Sequence, residues 1–157
     1  MSIADISARY SDLVETVFSS AIAGKVWLAT GAFALAGVQV LTASRMWGKL
    51  QRVVPLSFAT SRRVHRWSGR IALLLTLPVF FHCVTILGFR TPDARVALHS
   101  VAGSFVYGVL AAKLLVIRLK GYPHWVLPVL GGSLAAILTT LWLTSSLWYF
   151  TNVRFGF

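Results

Sequence analysis

Three histidines stand in or beside long apolar stretches of the chain. His65 and His82 flank the second such stretch, and His99 lies just inside the third. An imidazole inside a membrane is costly unless a partner holds it. Paired imidazoles within a helical bundle can clamp an iron porphyrin as its two axial ligands. The residue types therefore indicate one-electron chemistry at a non-covalently bound haem b.

Two of these histidines are followed by glycine at helical spacing. His65 and Gly69, and likewise His99 and Gly103, form the pattern His-x-x-x-Gly. Residues four apart share one face of a helix, so each glycine leaves bare backbone beside an imidazole. A porphyrin could lie flat against such a patch, but a second helix could also pack there. Gly69 and Gly103 could each make room for a porphyrin or for a neighbouring helix.

The predicted depth of each histidine in the membrane indicates which two could ligate the same iron. His82 is expected about six residues before the end of the second span, and His99 about seven residues after the start of the third. At 1.5 Å per residue, both imidazoles then lie roughly 10 Å from the outer ends of their helices. Pro78, one turn before His82, is expected to bend its helix and open a gap between the spans. We predict that His82 and His99 ligate one haem iron.

Two arginines are placed to meet the carboxylates of such a haem. Arg95 lies one turn before His99 on the same face, and Arg90 lies in the preceding connection. Guanidinium groups pair well with propionates that point toward water. The alternative is that both arginines simply anchor helix ends at the membrane surface.

A second haem, held by His65 and His124 on the cytoplasmic side, is the weaker alternative. His65 and His82 are 17 positions apart, which turns them away from each other around the helix by roughly 100°. His124 follows a proline at an interfacial position. Lys113, 14 positions after His99, either snorkels to the surface or holds an anion there, such as a second haem's propionate or a quinone oxygen.

The elements that must position these residues are membrane helices. Of the 157 residues, 57% are hydrophobic, and the mean hydropathy is +0.74, too apolar for a soluble domain of this size. Four long stretches carry no charged residue, and each can cross a bilayer. We predict a single all-α membrane domain over residues 1–157, a four-helix bundle preceded by an amphipathic interfacial helix. The predicted elements are the amphipathic helix 1–20 and the spans 21–44, 62–88, 92–119 and 123–150.

The distribution of charge predicts the orientation in the cell membrane. Lys and Arg number 15 against four acids. Seven bases and no acid surround the first connection between spans: Arg45, Lys49, Arg52, Arg62, Arg63, Arg66 and Arg70. Arg118 and Lys120 occupy the connection between the third and fourth spans. The positive-inside rule then places both connections in the cytoplasm and both termini outside, and it accounts for the basic charge without nucleic-acid binding.

Several other functions are disfavoured by what the sequence lacks. Cys83 is the single cysteine, so there is no internal disulfide and no covalent haem motif. All four acids lie outside the predicted spans, which disfavours proton pumping and a carboxylate-bridged metal centre. No nicotinamide or flavin fingerprint is present. The sequence thus favours an electron-transfer protein over a self-contained enzyme, with quinone or ferric reductase activity only alongside a partner.

Three segments resemble known membrane cytochromes. His65-Arg-Trp-Ser-Gly69, Phe81-His82 and Leu98-His99-Ser-Val-Ala-Gly103 look like those of the bacterial cytochrome b561-like and ferric-reductase-like proteins. The stretch from His65 through Lys113, with the run to Trp148, also resembles a group of four-helix actinobacterial membrane proteins. The resemblance implies haem b between two histidines, exchanging single electrons with quinones, other haems or iron–sulfur proteins, within a larger redox chain. Two-haem members place the second histidine of a helix in register with the first, and this chain departs from that pattern.

A second class of function stays open at this point. The histidines could be merely hydrogen-bonded, in a structural or accessory subunit of a membrane complex. Visible absorption of the purified protein separates this function from that of a cytochrome.

Overall fold

Every regular element is a helix in the computed structural model, which describes residues 3–119 and 121–154. Lys120, one of the bases predicted to face the cytoplasm, lies outside the described residues. The helices are α1 (Ile3–Glu15), α2 (Ala21–Met46), α3 (Phe58–His82), α4 (Ala94–Leu119) and α5 (Val126–Trp142). Short π-helical turns extend α3 over Cys83–Leu87 and α5 over Leu143–Leu147 and Phe150–Arg154.

Four of these helical segments are long and apolar enough to cross a membrane. They are Ala21–Met46, Phe58–Leu87, Ala94–Leu119 and Val126–Val153. Few side chains are buried, and the buried apolar ones are mostly small, whereas many large apolar side chains face outward. This distribution is the one expected when lipid covers the outside of a bundle. The predicted all-α four-helix membrane fold is confirmed.

The helix starts differ from the predicted ones by a few residues. α3 begins one turn before the predicted start at residue 62, because Ser57 is its N-cap and accepts a hydrogen bond from the Thr60 amide at 3.1 Å. At α4, the Asp93 carboxylate accepts from the Val96 amide at 2.8 Å, so Pro92 lies before the helix and not at its first position. Gly88, with φ of 67°, ends the α3 segment as predicted.

The bundle consists of two helix pairs. α2 packs along α3, and α4 packs along α5, while α3 and α4 make almost no contact with each other. The pairs are joined through α2 and α5, where the Trp142 indole N–H donates to Thr30 Oγ1 at 3.0 Å. The Trp142 ring also stacks on Phe33 with 4.7 Å between centroids. A gap therefore remains between α3 and α4.

The amphipathic helix α1 packs against the C-terminal end of α3. Its Tyr10 hydroxyl donates to the Pro78 carbonyl at 3.1 Å, and its ring contacts Phe81 and His82 at centroid distances of 5.1 and 5.8 Å. Burial raises the pKa of the Tyr10 phenol, and the nearby Cys83 thiol acts in the same direction. The phenol therefore remains protonated and able to donate.

Candidate functional site

Two cavities lie within the bundle, one toward each end. The outer cavity, named for the end of the bundle that is predicted to face out of the cell, has a volume of about 270 Å³ and is lined by His99 and Gly103. The inner cavity, at the opposite end, has a volume of about 460 Å³ and is lined by His65, Gly69 and Lys113. All four spanning helices contribute to the inner cavity, and its walls are otherwise mainly apolar.

A tyrosine divides the two cavities. Tyr107 on α4 lines both, as does Thr76 on α3, and the tyrosine hydroxyl donates to Thr76 Oγ1 at 3.1 Å. The Tyr107 ring also meets Phe80 edge-on at 4.7 Å between centroids. These contacts bridge α3 and α4 at a level where the helices themselves are apart.

His99 is held in one tautomer by its neighbour on α5. Its Nδ1 lies 3.0 Å from Thr144 Oγ1, and that hydroxyl already donates to the Thr140 carbonyl at 2.7 Å. A hydroxyl has one proton to give, so Nδ1–H must donate to Thr144. Nε2 is left with its lone pair, which is how a metal-binding histidine is normally prepared.

His65 is held in the same way at the opposite end. Its Nδ1 lies 3.0 Å from Thr42 Oγ1 on α2, and Thr42 donates to the Val38 carbonyl at 2.6 Å. The Nε2 lone pair is again left over. Each cavity therefore has one imidazole oriented by a threonine of the paired helix.

His82 has a different environment. It is 2% exposed, and neither ring nitrogen has a hydrogen-bond partner in the described part of the chain. It contacts Tyr10 and does not line the outer cavity, although its neighbours Val79 and Cys83 do. Buried polar atoms are nearly always paired, so an unpaired buried imidazole calls for a partner. The pairing of His82 with His99 on one iron stays a prediction.

The two glycines serve different purposes. A Cβ at Gly69 would come within 3.2 Å of the Gln39 amide, whose Nε2 donates to the His65 carbonyl and, at 2.7 Å, to Ser68 Oγ. Gly69 thus gives room to a side chain of α2, in line with the helix-packing alternative. A Cβ at Gly103 would meet only Leu141, at 3.8 Å. The bare patch beside His99 is open to the cavity.

The two predicted arginines do not line the outer cavity. Arg95 donates to the Thr144 carbonyl at 2.8 Å, lies over the Trp148 ring at 4.2 Å and sits 3.9 Å from Asp93. Arg90 is exposed, and its backbone carbonyl accepts from the Ser100 hydroxyl at 2.8 Å. Arg95 therefore fixes α4 to α5, as the helix-anchor alternative has it.

Lys25 is a cation that sequence reasoning missed. It is 8% exposed in the first turns of α2, and within residues 3–119 and 121–154 it has no hydrogen bond or ion pair. Lys25, near the start of α2, lies at the same end of the bundle as His82, at the end of α3, and His99, near the start of α4. The available signal was a lone lysine at the outer end of the first span, one residue before the charge-free stretch begins.

Lys113 and His124 are placed apart. The Lys113 ammonium lies 3.8 Å from where a Cβ on Gly131 of α5 would stand, so the side chain crosses the bundle interior. His124 is exposed in the turn before α5 and lines neither described cavity. The structure does not bring His124 and His65 together around a cavity.

Within the described ranges, no group of three or more His, Cys, Asp or Glu could hold a metal ion by itself.

Comparison with known proteins relates the chain to a protein family. No curated protein and no solved structure matches the chain. A family model does match, over residues 5–157. The chain therefore belongs to DUF6529, a family of unknown function.

Proposed function

We propose that the protein is a membrane-embedded b-type cytochrome that binds one haem b between His82 and His99. The observation that carries the proposal is the His82 imidazole, which is fully buried although neither of its nitrogens has a hydrogen-bond partner among the described residues. Leaving such a group unpaired costs about 1–3 kcal/mol, and coordination to iron would offset that cost.

The tautomer of His99 supports its role as the second iron ligand. Thr144 holds the Nδ1–H of His99, which leaves Nε2 as the coordinating atom. Gly103 keeps the helix face beside it bare. This combination of a fixed tautomer and an open backbone patch suits a flat ring ligated from α4.

The outer cavity must widen to take a haem. Its 270 Å³ lies below the roughly 300–1,000 Å³ typical of cofactor sites. Because α3 and α4 hardly touch, moving them apart breaks few contacts. Tyr107 bridges them through its hydrogen bond to Thr76 and its ring contact with Phe80.

Lys25 is a further candidate for holding a haem propionate, and like the two arginines it lies outside the lining of the outer cavity. It is buried and lacks an anionic partner among the described residues. A carboxylate would balance its charge. Arg95, already bonded to Thr144 and stacked on Trp148, would act indirectly by keeping α4 on α5.

When bound, a haem with two imidazole ligands supplies reversible one-electron transfer. The chain would exchange electrons with a quinone, or with a haem or iron–sulfur partner protein in a larger complex. With the basic connection between α2 and α3 in the cytoplasm, the haem would lie toward the extracytoplasmic side of the cell membrane.

Visible spectroscopy on purified protein, produced with haem supplied, tests the proposal. We expect one haem per chain and sharp bands on reduction, lost in His82→Ala and His99→Ala. His124→Ala is the matched control and should retain the haem, as should His65→Ala if there is no second site. A colourless protein would favour the accessory-subunit function. A full haem complement in His99→Ala would refute the assignment of that ligand.

A further inference from the structure

We propose that the inner cavity binds an anionic amphiphile, with its charged head group at Lys113 and its hydrocarbon chain along the apolar walls. This site is separate from the proposed haem site, because Tyr107 and Thr76 divide the two cavities. The lining of the inner cavity includes neither His82 nor His99.

The positive charge in the inner cavity is not balanced by any described acidic residue in its lining. Lys113 and, at the mouth of the cavity, Lys49 both line it, and no acidic residue does so in the described part of the chain. All four acids of the sequence lie elsewhere, three of them in α1 and one at the start of α4. The first turn of α5, which contributes Pro128 to the wall, adds the partial positive charge of a helix N-terminus. The cavity therefore favours an anion.

The Lys113 ammonium lies within the bundle, close to α5. Lys113 lies six residues before the end of α4, which is roughly 9 Å along the helix. Its side chain reaches across to Gly131 and so lies inside the bundle, not along the outer surface. An ammonium at membrane depth is costly, and a paired carboxylate or phosphate reduces the cost.

The walls of the inner cavity suit a hydrocarbon chain. Apart from the two lysines, His65 and Gln39, the lining is mainly apolar and includes small residues such as Ala36 and Ala72. Its volume of about 460 Å³ falls within the roughly 300–1,000 Å³ of ordinary ligand sites. Because α3 and α4 have almost no close backbone contact, we expect an acyl chain to enter between them from the bilayer. An acyl chain matches these walls.

The test uses 9,10-dibromostearate, whose bromines quench tryptophan, and its methyl ester, which has the same chain without the charge. Trp47 lines the inner cavity and reports binding, and Trp47→Phe identifies its share of the signal. In full-length protein in non-ionic detergent, we expect the acid to bind at least tenfold more tightly than the ester. Equal affinity for the two would overturn the proposal.

Charge variants locate the head group. Lys113→Gln should abolish the preference for the acid, and Lys113→Arg should keep it. Arg118→Gln, which removes an exposed cation from the same end of α4, is the matched control and should behave as wild type. An unchanged preference in Lys113→Gln would contradict the assignment.

Competition distinguishes the sources of the anion. Displacement by oleate alone assigns the site to a free fatty acid, and displacement by phosphatidylglycerol but not phosphatidylcholine assigns it to a phospholipid. Either result supports an anionic head group. Displacement by the neutral decylubiquinone as efficient as that by oleate would overturn it.

Discussion

Two imidazoles, one beside each cavity, are prepared for binding by the same local device. His99 donates to Thr144 and His65 donates to Thr42, and each threonine directs its own proton to a carbonyl of its own helix. The device fixes which nitrogen is basic without using any charged residue. In a membrane this matters, because an aspartate in the same role would have to be desolvated.

Removing the hydroxyl of Thr144 tests the cost of this arrangement. Thr144→Val keeps the shape but removes the hydroxyl that accepts from the Nδ1–H of His99, which should lower the free energy of unfolding by about 0.5–1.5 kcal/mol. Denaturant unfolding in detergent measures the change. Thr139→Val is the control, since that hydroxyl bonds only the Ala135 carbonyl of its own helix. A similar loss in both variants would show that the bond to His99 contributes nothing.

The sequence indicated these histidines but not their partners. His65, His82 and His99 stand out because imidazoles are rare on apolar helices. Thr144 is 45 positions from His99, and nothing in the order of residues says which helix faces which. Lys25 was overlooked because an end-of-span lysine ordinarily snorkels, and its burial depends on packing.

At the level of elements, α1 covers a histidine. Tyr10 packs on His82 and bonds the Pro78 carbonyl, so this interfacial helix closes the outer end of α3. Such coverage follows from the apolar face of α1, but the particular contact requires the bundle to be assembled. The existence of the helices was predictable from the length of the apolar stretches. The exact start of α3 was not, because Ser57 and Ser61 could each have been its N-cap.

Substitution of Tyr10 should expose His82. In Tyr10→Ala we expect diethylpyrocarbonate to modify His82 several-fold faster than in wild type, whereas Tyr10→Phe, which keeps the ring, should protect it. Site-resolved mass spectrometry gives the rates, and the exposed His124 serves as the internal reference. If His82 reacted equally slowly in Tyr10→Ala, α1 would not be its cover.

For the whole molecule, orientation in the membrane is the property that composition predicts most directly. In a Cys83→Ser background, Gln51→Cys in the basic connection should react with an impermeant maleimide only when the cytoplasmic side is accessible. Ser19→Cys, between α1 and α2, should react only from the outside. Both positions are exposed, and neither substitution changes the charge. Labelling from the reverse sides would invert the topology and place the proposed haem near the cytoplasm.

Hydropathy predicted four spans but could not predict their arrangement. Helix pairing depends on small and polar contacts such as Gln39 with Ser68 and Trp142 with Thr30, which add little to any average over a segment. The gap between α3 and α4 is equally invisible in sequence, because consecutive antiparallel helices usually pack together.

The division into two pairs has a consequence for how the protein is made. Within each pair the contacting helices are neighbours along the chain, so each hairpin can form as it enters the bilayer, with little loop-closure entropy to overcome. The seam between α2 and α5 joins the first and the last of the four spans and can close only after α5 has been synthesised. Both cavities come into existence at that step, so any cofactor or lipid they hold must arrive once α5 has entered the bilayer.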